Sequence, residues 1–292
     1  MYINMKKIYI YVHICCIGDW EKVFTKIIYH IKNSGLYDII NNIRCVILGK
    51  LKKLPDIFND KKIKILKQCE DKSLYERATL REIYNDSINS DKKFYALYLH
   101  TKGITHTGYR KEKVDAWFDY LLYFNCYKFK KILKLLKNYD VVGVNLRKTE
   151  GKAYYKREIL ELKEKKKKEI AKMKKYISKV KKKEKMNKPI VTNTSTYSVW
   201  SGSNLKTYYS GNIWWSNSDY IKTLTKQIGK NYTDPEFWVT SKNKIDNKKI
   251  YFLSLWNSNV NHYHTLYGKK KYFNKKYFKL YTNWDLIESN ME

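Results

Sequence analysis

Within its first fifty residues the chain runs from a strand-like apolar stretch into an amphipathic helix and then into a second apolar stretch. This order restricts it to architectures in which strands alternate with helices. The apolar stretches are 8–14 and 43–48. Between them Trp20, Val23, Phe24, Ile27, Ile28 and Ile31 fall at the spacing that covers one side of a helix. Asp19 is placed to cap the start of that helix and Gly35 its end. Further apolar runs at 63–66, 94–99, 139–144 and 250–255 predict strands. Val114, Trp117, Phe118, Leu121 and Leu122 predict a second helix, while 73–85 and 218–228 are helical by weaker patterns. The expected fold is α/β, a mixed and mostly parallel Rossmann-like sheet flanked by helices.

Length permits this, since 292 residues bury a full core without covalent help. The five cysteines are odd in number, lie mostly in apolar runs and form no C-x-x-C pair, so neither a disulfide framework nor a zinc site is expected. The segment around residues 5–14 imitates a signal peptide, but it contains His13, alternates, and lacks a small-residue cleavage site before Asp19. It reads as a first strand, and no apolar run approaches membrane-spanning length. A soluble, cytoplasmic protein is the expectation.

The net charge of +32 invites a nucleic-acid partner. Only six of the 60 basic residues are Arg, however, and Arg is the residue favoured for base readout and bidentate phosphate binding. Abundant Lys, Asn, Ile and Tyr together match an AT-rich coding bias, so nucleic acid is not the expected partner. A run at 151–188 holds 17 Lys or Arg against 5 Glu and reads as an insertion, helical or unstructured. As a contact surface for polyanions it supplies one competing reading, of the chain as a polyanion- or nucleic-acid-binding protein; the other is a non-catalytic sugar-binding protein.

Ligands of open α/β sheets lie beyond the carboxyl ends of the strands, so the residues after each predicted strand are the first candidates. After the first strand come Ile14, Cys15, Gly18 and Asp19, where the glycine lets the backbone turn toward a nucleoside; Asp19 is equally explained as a helix cap. After the fourth come His100, Thr101 and Lys102 before Gly103, a cradle for a diphosphate. No Asp-x-Asp pair stands there to hold a metal, and a cationic Lys102 with His100 can stabilise a departing diphosphate instead. The sequence commits to no cofactor and leaves Mn2+ or Mg2+ open.

Ser210, Gly211, Asn212, Trp214 and Trp215 combine small residues, an amide and two indoles, which suits a sugar ring with one apolar face; a core role explains the tryptophans equally well. In Asp234-Pro235-Glu236 the proline fits a helix start with Asp234 as cap. Glu236 is then free to act as a base toward an acceptor hydroxyl, and Glu236 and Asp234 are together the catalytic candidates. His262 and His264, two apart in an extended segment, would point to one side, and His262 suits a diphosphate or acceptor contact.

Taken in order, the motifs Tyr11-Val12-His13-Ile14, Ile17-Gly18-Asp19-Trp20, Ser34-Gly35-Leu36-Tyr37, Leu97-Tyr98-Leu99-His100-Thr101-Lys102-Gly103, Ser210-Gly211-Asn212-Ile213-Trp214-Trp215, Pro235-Glu236-Phe237-Trp238 and Val260-Asn261-His262-Tyr263 resemble GT-A-fold-like glycosyltransferases of bacterial polysaccharide clusters and giant viruses, with a distant likeness to rhamnan-synthesis proteins. The resemblance implies transfer of a sugar from a nucleotide-sugar donor, a uridine diphosphate sugar, to a glycan or glycoconjugate acceptor. It implies a nucleotide-sugar-binding half at 1–150 and an acceptor-side half at 189–292 that completes the same domain, and for a viral protein a place in the host cytoplasm. The Lys-rich run and the missing acidic pair depart from the family pattern.

Overall fold

The computed structural model describes residues 6–51, 53–149, 206–242, 244–246, 248–273 and 280–283. Contacts divide the chain into one compact unit of 1–148 with 206–292 and a second of 149–205. The second contains the expected insertion, whose residues lie outside the described ones. The first contains every strand of the main sheet.

The chain order of the first unit is β1 (Lys7–Cys15), α1 (Trp20–Asn33), α2 (Leu36–Ile39), β2 (Asn42–Leu48), β3 (Ile63–Cys69), α3 (Arg77–Asn89), β4 (Phe94–His100), α4 (Gly108–Leu122), α5 (Phe129–Leu135), β5 (Val141–Gly143) and β6 (Leu146–Lys148). After residue 205 come β7 (Thr207–Tyr209), β8 (Trp214–Asn217), α6 (Ser218–Ile221), α7 (Asp234–Trp238), β9 (Lys244–Ile245), β10 (Lys248–Lys249), β11 (Phe252–Ser254) and β12 (Tyr281–Thr282). Eight strands form one mixed sheet in the order β12-β11-β5-β8-β4-β1-β2-β3, while β6–β7 and β9–β10 are small ribbons. Strands β1 to β4 run parallel; β8 is reversed between β4 and β5, and β12 is reversed against β11. The protein is thus an α/β fold with a mostly parallel sheet.

Strand alternation divides the core in two. Ile8, Ile10, Val12 and Ile14 of β1 face α1, α4 and α5, where the expected helical stripe from Trp20 to Ile31 is buried as spaced. Tyr9 and Tyr11 face the opposite layer with Leu80 and Ile83 of α3, Ile221 of α6 and Trp238 of α7. Each fully buried aliphatic chain of this kind contributes about 1.5–3 kcal/mol relative to exposure.

Four local expectations change. Trp214 and Trp215, read from sequence either as a sugar pocket or as core, lie in a central strand and take the core role. Its neighbours β4 and β5 cover both edges and alternation sends one indole into each core, so both side chains are fully buried. The helix expected over 73–85 begins only at Arg77, because Tyr75 takes φ 45°, outside the helical region. The helix expected over 218–228 stops at Ile221; Thr223 bonds the Tyr220 carbonyl and Thr225 accepts from the Gln227 amide, local bonds that compete with helical ones. At 234–238 a helix does start, but Asp234 is its first residue and not its cap.

Candidate functional site

All strands of the main sheet except β8 and β12 point their carboxyl ends to one edge. That edge holds a switch in topology: from β1 the chain moves outward through β2 and β3, then returns to β4 on the other side of β1. Open sheets leave a ligand crevice at such a point. The loop leading into the reversed β8 reaches the same edge.

In register, Tyr11 pairs with Tyr98 and His13 with His100, so two imidazoles finish β1 and β4 side by side. Beside them stands Glu76, immediately before α3. Its Oε2 accepts from the Tyr98 hydroxyl at 2.6 Å and from Nδ2 of Asn212. The Oδ1 of Asn212 accepts from the Trp214 indole at 3.0 Å. An indole nitrogen can only donate, so the amide oxygen must face Trp214 and the amide nitrogen must face Glu76. Glu76 is therefore held as an acceptor. Burial raises its pKa, but His100, His13 and the two donors outweigh it and hold the carboxyl below the ordinary range.

Both imidazoles are uncharged at neutral pH. Burial pushes His13 down to about 4, and its Nδ1 lies 3.0 Å from the Thr79 hydroxyl. Burial also lowers His100 against the pull of Glu76. The Nε2 of His100 lies 2.9 Å from the Gly211 carbonyl, an acceptor only, so that nitrogen carries the proton.

Two half-buried ionisable groups complete the crevice. Lys102 sits with Nζ 3.8 Å over the ring of Trp117; burial lowers its pKa while Glu236 and Glu76 raise it. Glu236 is pushed up to about 7 by burial, with Lys102 opposing and Glu76 adding to the rise. No ion pair joins Lys102 to either carboxylate among the described residues, so these groups influence one another at a distance and not by contact. Titratable groups shifted by burial and by named partners at a strand-end crevice mark a candidate site.

Glu236 reaches this place through Arg77. The buried guanidinium donates from Nε to the Gly229 carbonyl at 2.6 Å and from a second nitrogen to the Asn231 carbonyl. Asp234 Oδ2 accepts from the Asn231 amide at 2.8 Å and closes the turn, and Pro235 then opens α7. One residue of α3 thereby positions the turn that delivers Glu236 within reach of Glu76, α3's own neighbour.

The remaining expected residues take other places. Asp234 closes this turn instead of presenting a catalytic carboxylate. Ile14 is fully buried in the α1-side core and does not line the crevice. Thr101 is buried and clasps β1 to β4, accepting from the Cys15 amide at 3.2 Å and donating its own amide to the His13 carbonyl. Gly18, at φ 51°, lets the β1 loop touch the β4 loop, since a side chain there would meet the Ile104 carbonyl oxygen at 2.3 Å. Asp19 is exposed and makes no capping hydrogen bond. Ser210 donates its amide to the Asn145 carbonyl, and Gly211 lies against Trp117 and Leu121.

His262 is buried, stacked 5.0 Å from Trp117 and pushed down to about 3 by burial, with Arg147 and Lys102 adding to the fall. It backs the indole that carries Lys102. His264 is exposed, because a turn closed by its amide on the Asn261 carbonyl separates the two rings. Trp214 orients Asn212 from within the core, and Trp215 donates to the Asn125 carbonyl. Neither indole is open to a sugar. Among the described residues no group of three or more His, Cys, Asp or Glu is arranged to hold a metal ion.

Three residues of the crevice escape sequence reasoning: Glu76, Arg77 and His13. The alternation Tyr9, Tyr11, His13 and Tyr98, His100 carries a signal, an unusually polar and aromatic strand face that ends in two histidines. Comparison with known proteins finds no matching family model, no matching curated protein and no matching solved structure.

Proposed function

We propose that this chain is a glycosyltransferase of GT-A-like type that moves a sugar from a nucleotide donor, a uridine diphosphate sugar, to a glycan or glycoconjugate acceptor. The observation that carries the reading is Glu236, half-buried at the carboxyl edge of the sheet and held at a pKa of about 7 with Lys102 within electrostatic reach. A base poised near neutrality takes a proton most effectively at neutral pH.

In this reading the acceptor hydroxyl loses its proton to Glu236 as its oxygen bonds to the anomeric carbon. The bond from that carbon to the diphosphate oxygen breaks, and its electron pair leaves with the nucleoside diphosphate. Lys102 supplies positive charge to the leaving group, and the Nε2 of His100 stays committed to Gly211. Glu76 remains ionised and stabilises the positive charge that develops on the sugar ring. A mostly parallel sheet with its switch at β1 and β4 is compatible with a nucleotide-binding fold.

The test is nucleoside diphosphate release from a panel of nucleotide sugars, with and without Mn2+, by wild type and Glu236→Gln. Loss of a general base lowers turnover about 10²- to 10⁴-fold. Equal turnover by the variant removes Glu236 as base, and release from no donor removes the transferase reading.

A further inference from the structure

The surface beside Glu76 and Glu236 is aromatic. Tyr232 is 71 % exposed, among the most exposed large side chains in the described structure, and it sits two residues before the Asp234-Pro235-Glu236 helix start. Its ring meets Tyr75 edge to face at 5.1 Å between centroids. Burial of its inner side, then the charges of Glu76 and Glu236, raise its phenol pKa, so both carboxylates lie within electrostatic reach. Tyr263, 36 % exposed, feels Glu236 and Tyr232 as well and packs edge to face on Trp117, the indole under Lys102.

Tyr75 also takes a positive φ of 45°, a conformation that costs a bulky residue free energy and that persists only where its surroundings impose it. Here the surroundings are Arg77, whose guanidinium lies 5.7 Å from the Tyr75 ring and which holds the Gly229 and Asn231 carbonyls of the turn that carries Tyr232. A single buried cation thus fixes Tyr75, Tyr232 and Glu236 relative to one another.

We infer that Tyr232, braced by Tyr75 and accompanied by Tyr263, is the platform on which a ring of the acceptor glycan stacks. The class of acceptor follows from the chemistry. A pyranose presents an apolar C–H face to an aromatic ring and hydroxyls at its edge, and the edge is what must reach Glu236. Tyr232 is then a positioning and specificity residue on the acceptor side, distinct from Lys102 on the donor side. The platform rests on the transferase reading.

The experiment uses the full chain, a nucleotide sugar accepted by wild type, and a panel of p-nitrophenyl glycosides of glucose, galactose, rhamnose and N-acetylglucosamine as acceptors, with water as the competing acceptor. Loss of one aromatic stacking contact in Tyr232→Ala is expected to raise the acceptor KM about 3- to 10-fold, with a smaller change in donor KM. Tyr232→Phe, which keeps the ring, is expected to restore wild-type acceptor KM. Equal changes in donor and acceptor KM, an unchanged acceptor KM, or a Phe variant that behaves like Ala would each overturn the platform. If wild type hydrolyses the donor yet transfers to no glycoside, the platform falls and the transferase fold reading stands; if it turns over no donor, both fall together.

Discussion

Replacing Glu236 by Gln tests the site through stability, without knowledge of any substrate. In the folded chain the carboxyl titrates at about 7, against 4.5 for an ordinary glutamate. Because the folded state holds the proton more tightly, this group's contribution to stability is fully present below about pH 4.5. It is lost as pH rises through the folded value near 7. At about 1.36 kcal/mol per pH unit the gap amounts to about 3 kcal/mol, and screening by solvent at a half-buried group reduces this to about 1–2 kcal/mol. Glutamine keeps the shape and carries no charge at any pH. The variant is therefore expected to match wild type near pH 4 and to melt about 3–6 °C higher near pH 8.5, by circular dichroism at constant ionic strength. A difference that does not grow with pH, or that favours wild type at high pH, would refute the burial argument for Glu236.

Transfer by wild type should rise with pH through about 7 and level off above it, since the base must be ionised; a flat profile from about pH 6 to 8 would assign the proton elsewhere. Arg77→Met removes the donors to the Gly229 and Asn231 carbonyls and is expected to cost about 2–4 kcal/mol in denaturant unfolding, together with loss of turnover. Loss of neither would show that the turn at 229–234 holds itself. Gly18→Ala introduces a side chain against the Ile104 carbonyl at positive φ and should lower stability by about 1–3 kcal/mol, read as a lower melting temperature; an unchanged melt would mean the two loops are not in contact.

How far the sequence reveals this molecule depends on how local the signal is. Helix α1 is legible because its stripe from Trp20 to Ile31 and its glycine stop are all local, and β1, β2 and β4 because apolar runs of their length bounded by polar residues have few alternatives. Strand β8 is not legible. Trp214-Trp215-Ser216-Asn217 is only four residues long, and its identity as a strand comes from β4 and β5 on either side. Once it is a central strand, alternation forces the two indoles apart and out of any pocket. Glu76 is hidden for a similar reason: its partners Tyr98 and Asn212 are 22 and 136 residues away, and nothing around position 76 announces them. Glu236 and Lys102 are legible as candidates, since a free acid after Pro235 and a cation at a strand end are local features. Their mutual influence is not, because it depends on Arg77 drawing the turn at 229–234 toward α3.

The two carboxylates explain each other's roles. Glu76 stands beside His100 and His13 and receives two donors on one oxygen, from a phenol and from an amide whose orientation an indole fixes, and together these hold it ionised in spite of burial. Glu236 receives no such donors among the described residues, so burial dominates and lifts it to about 7. Exchanging the roles would require Glu236 to stay charged without hydrogen bonds and Glu76 to accept a proton on an oxygen already committed to two donors. Environments that push two acids apart in this way assign one to constant charge and the other to proton transfer. In the proposed transfer the cation, Lys102, and the constant anion would stand beside the parts of the reaction that carry charge, the diphosphate and the sugar ring. The titrating Glu236 would stand beside the neutral hydroxyl, near the exposed Tyr232.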